Sequence, residues 1–147
     1  MQERFSNFTV LMAKITRSIK RIKTEEMEEY NLKGNHLSCI YYLYKLNSLT
    51  LAELVDICKE DKASLSRSVD DLVARKIVER DDNNTYRNLL TLTTKGNDLG
   101  AKISTKIDSI LDMVSEGVQE ENRTIMYQCL SQISKNLDNY CKKFKEE

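Results

Sequence analysis

Between Asp61 and Val69 the chain carries Lys62, Ser64, Ser66, Arg67 and Ser68 around two apolar positions, Leu65 and Val69, four residues apart. That spacing belongs to a helix with its apolar side turned inward, so the ammonium, the guanidinium and the hydroxyls are presented outward near the helix start. Hydroxyls are short groups that both donate and accept, and a guanidinium grips two acceptors at once. This is chemistry for holding base edges and phosphates, not for making or breaking bonds.

Bond-making chemistry lacks its parts. No G-x-G-x-x-G, Walker loop, G-x-S-x-G or H-E-x-x-H sequence occurs, and His36 is the only histidine. One histidine without a nearby cysteine and carboxylate cluster does not make a metal site, so neither metal nor cofactor is expected. An enzyme is therefore disfavoured.

The elements that must position these residues are written in the apolar spacing. Asp61 is a good N-cap for the helix of Leu65, Val69, Leu72 and Val73. Before it, Thr50 and Glu53 form a capping box for a short helix over Leu51 to Cys58, and an earlier helix reads from Asn35 to Leu46. After it, Ile77 to Arg80 and Tyr86 to Leu92 are rich in β-formers around a polar tip at Asp81 to Thr85. Two short helices with a tight turn, then a hairpin, make a winged helix-turn-helix in which the second helix enters the major groove.

Long helices flank this unit. Phe5, Phe8, Met12, Ile15, Ile19 and Ile22 step by threes and fours on a helix to about Tyr30. A helix from about Thr93 carries Leu99, Ile103, Ile107, Ile110, Leu111 and Val114, breaks near Gly117 to Asn122, and is followed by a last helix with Met126, Leu130, Ile133, Leu137, Tyr140 and Phe144. One core from 147 residues can hardly cover three apolar seams, whereas a homodimer can. The fold class is thus mainly α, a winged helix-turn-helix with a small β-hairpin wing between long N- and C-terminal dimerisation helices.

Composition agrees: no proline and four glycines suit long helices. No apolar run approaches the roughly 20 residues that span a bilayer, and the charged start at Glu3 and Arg4 is unlike a signal peptide. A cytoplasmic protein without membrane contact is expected. Its four cysteines, without C-x-x-C spacing, read as reduced thiols, three of them on apolar helix faces.

The net charge is zero, with 23 basic and 23 acidic residues, so charge alone does not make this a nucleic-acid binder. From Lys62 to Lys95 seven basic residues face five acidic ones, and useful DNA affinity then requires two copies held about one helical turn apart.

At this point the chain resembles the multiple-antibiotic-resistance regulator (MarR) family. The residues that carry the likeness are Leu51, Ala52, Glu53 and Leu54, then Asp61, Ser64, Ser66, Arg67, Val69 and Leu72, then Val78, Glu79 and Arg80, closed by Leu92, Thr93, Lys95 and Gly96. Lys76 departs from the glycine usual in the family at the left-handed end of the recognition helix. In the wing the family's Asp-x-Arg is replaced by Asn83, Asn84, Thr85, Tyr86 and Arg87, with Arg87 in the arginine role and Asn84 beside it.

The resemblance implies one domain over residues 1–147, with 1–32 and 97–147 as dimerisation helices and 33–96 as a DNA-binding lobe. It implies a repressor that binds a pseudo-palindromic operator in double-stranded DNA as a homodimer. A small-molecule effector would enter the crevice between the dimerisation helices and the lobe, with Met12, His36, Tyr41, Tyr42 and Tyr44 as candidate lining. The competing reading is a winged-helix protein-interaction module that does not bind DNA, favoured by Asp70, Asp71, Asp81 and Asp82.

Overall fold

A computed structural model describes residues 3–81 and 88–144. In chain order the elements are α1 (Arg4–Met27), a 3-10 turn (Glu28–Tyr30), α2 (Gly34–Leu46), β1 (Ser48–Thr50), α3 (Leu51–Cys58), α4 (Lys62–Ala74), β2 (Val78–Asp81), β3 (Leu89–Leu92), α5 (Thr94–Val114), α6 (Glu120–Cys141) and a closing 3-10 turn (Lys142–Phe144). The mainly α winged helix expected from the spacing is the fold observed. Two compact units are formed, Met1–Ile107 and Asp108–Glu147.

In the first unit α2 is the central post. Its Leu37, Cys39, Ile40 and Leu43 are buried with Leu54 of α3, Leu65, Val69 and Leu72 of α4, and Ile103 of α5. Each such aliphatic side chain contributes about 1.5–3 kcal/mol by leaving water, which is why α4 presents one fixed side to the core.

The short helices start where their caps place them. Thr50 Oγ1 accepts from the Glu53 N–H (3.2 Å) while Glu53 Oε2 accepts from the Thr50 N–H (2.8 Å), the reciprocal pair expected from the sequence. Asp61 Oδ2 accepts from the Ser64 N–H (2.9 Å) at the start of α4. Between the two helices Lys59 turns the chain at φ 52°.

The sheet holds one strand more than the hairpin expected. Its order is β1-β3-β2, all antiparallel, with Leu49 opposite Leu90 and Arg80 also opposite Leu90 on the other side. Three residues between two helices are too few for an alternating pattern to show; pairing with β3 makes Ser48–Thr50 a strand.

The second unit holds α6 and the end of α5. Here Ile125, Met126, Tyr127, Ile133, Leu137, Tyr140 and Phe144 are exposed, as are Leu111, Met113 and Val114. The thiols follow this division: Cys39 is buried and pushed up to about 12, Cys58 is half-buried and pushed up to about 11, both by desolvation, and Cys129 and Cys141 are exposed. The apolar-face reading of the cysteines thus gives a buried thiol in α2 but not in α6 of the single chain.

Candidate nucleic-acid interface

With Leu65, Val69 and Leu72 inward, a turn of about 100° per residue puts Ala63, Arg67, Asp70 and Ala74 along the outermost line of α4, and all four are exposed. Arg67 stands in the middle of that line. Ala63 precedes it by one turn on that line and Asp70 follows it. Lys62 is exposed at the helix start and Ser66 is half-buried on one flank.

Ser64 and Ser68 lie on the other flank and are engaged within the protein. Asn35 Nδ2 of α2 donates to Ser64 Oγ (2.9 Å), and Ser68 Oγ donates to the Ser64 carbonyl (3.2 Å). The outward position expected for these two hydroxyls is corrected accordingly: the core sets the helix phase, which turns them toward α2. Asn84 and Arg87 fall outside the described residues.

α4 is anchored at its far end by a Schellman turn. The Lys76 N–H donates to the Val73 carbonyl (3.0 Å) and the Ile77 N–H to the Leu72 carbonyl (2.9 Å). Lys76 takes φ 58°, the left-handed conformation for which the sequence offers no glycine.

The Leu92–Gly96 segment closes onto this turn. Thr93 Oγ1 donates to the Lys76 carbonyl (2.7 Å) and accepts from the Gly96 N–H (3.0 Å), while the Thr93 N–H donates to the Ile77 carbonyl (3.0 Å). Gly96 has no room for a side chain, because a Cβ would overlap the Ile77 carbonyl oxygen and lie 3.1 Å from its carbon. The end of α4, the root of the hairpin and the start of α5 therefore meet at two carbonyls. Arg80 of β2 also pairs with Asp70 of α4, fastening the strand to the helix a second time.

Beside α4 lies a cleft of about 1080 Å³ within the first unit. Its walls are the polar face of α1 (Thr16, Lys20, Lys23), the start of α2 (Lys33, Asn35, His36) and the flank of α4 that carries Ser64, Ser68 and Asp71, with Arg67 at its outer edge and Arg75 just past the helix end. Five cations, Lys20, Lys23, Lys33, Arg67 and Arg75, face the carboxylates of Glu60 and Asp71. The i, i+3, i+4, i+7 spacing of Ser64, Arg67, Ser68 and Asp71 is the signal that could have found this flank.

His36 is the one candidate effector residue on the cleft wall. It is buried at 5% exposure; its Nδ1 accepts from the Lys33 N–H (2.9 Å) and its Nε2 lies 3.2 Å from Asp71 Oδ2. Burial holds its pKa below the usual histidine range, Asp71 opposes that, and Arg75 and Lys33 add to it. Arg75 donates to the Asn31 carbonyl (2.8 Å) and the Tyr30 carbonyl (3.1 Å).

The other candidates are elsewhere. Tyr44 packs against Gly100 of α5, and Tyr41 and Tyr42 meet edge to face at 5.3 Å. Lys45 sits over the rings of Tyr41 and Tyr44 at 5.6 and 5.9 Å. Met12 is half-buried on α1 and does not border the cleft. The tyrosines lie further along α2 from the cleft, which opens at that helix's start. Among the described residues no group of three histidine, cysteine or carboxylate side chains is placed to hold a metal, and no helix is long and apolar enough to cross a membrane.

A helix-turn-helix with a strand pair folded back on its second helix defines a winged-helix protein. Residues 30–85, and with them the whole helix-turn-helix, match the sequence model of the MarR family, and the fold of the chain is that of the MarR family of transcription regulators.

Among solved structures, a putative MarR family transcriptional regulator from Listeria monocytogenes complexed with a 26mer DNA superposes with a TM-score of 0.82 at 21% identity, covering 100% of this chain and 97% of that one. A MarR protein from Peptoclostridium difficile gives 0.82 at 19%, covering 97% and 95%. The S. aureus MepR–DNA complex gives 0.76 at 20%, covering 88% and 97%. A search of curated protein sequences found no match to the chain.

Proposed function

We propose that this protein is a cytoplasmic transcriptional repressor that binds a pseudo-palindromic operator in double-stranded DNA as a homodimer and is released by a small effector. The observation that carries the reading is the outer line of α4: Arg67 is exposed between Ala63 and Asp70, on a helix fixed at both ends. Lys62 and Ser66 flank Arg67 as further contacts, Ser64 and Ser68 support the helix from the cleft side, and Asn84 and Arg87 act from the wing. Two of the structural relatives are complexes with DNA.

The homodimer is supported by what the single chain leaves uncovered. Val10, Leu11, Ile15 and Ile19 on α1 and Ile133, Leu137, Tyr140 and Phe144 toward the C-terminal end are exposed in it. We read residues 1–147 as one regulator domain, with segments 1–32 and 97–147 as dimerisation helices and 33–96 as the reading lobe. Such a dimer sets two copies of α4 at half-sites about 34 Å apart. The cleft beside α4 is the place for an effector, since a ligand there touches the flank of the reading helix.

The protein-docking alternative rested on exposed carboxylates. Asp70 pairs with Arg80, and Asp71 with His36 and Arg75, so these two are engaged within the fold.

The test is a titration against DNA from the protein's own upstream region at two salt concentrations with random competitor. Saturable, competitor-resistant binding that weakens with salt is expected. Arg67→Ala should weaken it by about 1–3 kcal/mol while leaving folding and dimerisation intact. Absence of binding at either salt, with and without candidate effectors, refutes the reading.

A further inference from the structure

Two side-chain contacts tie α4 to the first turn of α2, Asn35 to Ser64 and His36 to Asp71, and Arg75, just past the end of α4, adds a third to the Tyr30 and Asn31 carbonyls of the segment before α2. Only the middle one contains a group that ordinarily changes charge between pH 5 and 8. His36 is also the sole histidine of the chain.

Its two ring nitrogens are both committed. Nδ1 accepts from the Lys33 N–H at 2.9 Å, so in the neutral ring the proton sits on Nε2, which lies 3.2 Å from Asp71 Oδ2. Lys33 is the N-cap of α2 and His36 its third residue, so the imidazole plays the part that glutamate plays in an ordinary capping box. A second proton must go on Nδ1, where it would point at another N–H. Two donors cannot share that distance, so the cap opens as the ring takes up its proton.

We propose that His36 is a positioning residue that makes the set of α4, and with it DNA affinity, depend on proton concentration: the neutral ring holds α4 in its reading position, and the protonated ring releases the α2 end of the tie. The DNA half of this inference rests on the function proposed above.

The charged groups that line the cleft with the ring are Arg67 and Asp71 on α4, Arg75 just past its end, Lys33 at the start of α2, Lys20 and Lys23 on α1, and Glu60 in the turn before α4. Burial is the main cause that keeps the ring neutral; Asp71 opposes it, and Arg75 and Lys33 add to it. Because the folded pKa is depressed, the contribution to stability is fully present above the unfolded value of about 6.5 and is lost as pH falls through the folded value. The tie is therefore closed at neutral pH and opens in mild acid. The sign is unusual, since acid ordinarily strengthens phosphate binding by adding positive charge.

The experiment uses the full-length protein and the operator fragment from the upstream titration, with binding measured from pH 7.5 to 5.5 at constant ionic strength. Wild type should lose affinity by about tenfold, whereas His36→Gln, which keeps the capping acceptor and cannot titrate, should change by less than about twofold. Asp71→Asn removes the group that favours the charged ring, so the midpoint should move to lower pH.

In parallel, NMR follows the imidazole and the α4 amides of Ser64, Arg67 and Asp71 without DNA. The amides should titrate together with the ring in wild type and stay still in His36→Gln. Amides that do not follow the ring, or equal pH profiles for wild type and His36→Gln, overturn the proposal. Amides that follow the ring in a protein that binds no DNA at any pH sink the proposed function and leave the proton-linked movement of α4 standing.

Discussion

Replacing Gly96 by alanine separates two physical expectations of opposite sign. By helix propensity alone the change inside α5 should stabilise by up to about 1 kcal/mol. The structure predicts the reverse. The new Cβ would overlap the Ile77 carbonyl oxygen and sit 3.1 Å from its carbon and 3.2 Å from Leu92 Cβ. The main obstacle is backbone, so it cannot swing aside as a side-chain tip would.

Relief requires the start of α5 to retreat from the root of the hairpin. That costs about 3 kcal/mol of overpacking strain and about 1 kcal/mol for weakening the bond from the Thr93 N–H to the Ile77 carbonyl. Less the propensity gain, the net loss is about 3 kcal/mol. With a urea slope of about 2 kcal/mol per M the midpoint should fall by about 1.5 M. The assay is urea unfolding followed by far-UV circular dichroism, at one fixed protein concentration because any self-association feeds into stability. Gly34→Ala is the internal control: its Cβ would find Lys23 Cβ at 3.7 Å, an ordinary contact, and should be neutral or slightly stabilising. A Gly96→Ala protein as stable as the control would refute the packing argument.

Two further changes test the ends of α4. Lys76→Gly relieves the left-handed conformation at φ 58° and should raise stability by about 1 kcal/mol, read by the same unfolding curves; a loss would mean that the lysine side chain contributes more than its backbone costs. Asp61→Ala removes the acceptor of the Ser64 N–H and should lower stability by about 1 kcal/mol. Hydrogen exchange at the first turn of α4 should quicken with it, and unchanged exchange there would count against the cap.

What could be read from the chain alone was whatever depends on near neighbours. The Thr50 and Glu53 box and the Asp61 cap are four-residue patterns and stand as expected. Lys76 in place of glycine was visible as an oddity, and the backbone there is left-handed. What escaped depends on partners distant in sequence. β1 is a strand only because β3 lies beside it. Ser64 and Ser68 were placed outward because the buried stripe tells which positions face in, but not which flank meets α2. The cleft joins α1, α2 and α4, and its cations look like a solvated face when each helix is read alone. Tyr44 was a candidate ligand contact until Gly100 supplied its packing partner.

The closure at Thr93 also bears on how this scaffold tolerates change in length. The Thr93 N–H and the Ile77 carbonyl are joined at 3.0 Å, so the two feet of the hairpin are clamped at its base. Once the feet are pinned, lengthening the connection between β2 and β3 adds mainly loop entropy, about 0.6 kcal/mol for each doubling. The frame that holds α4 is completed at Lys76, Ile77, Thr93 and Gly96, so a longer connection between β2 and β3 should leave the geometry of that helix unchanged.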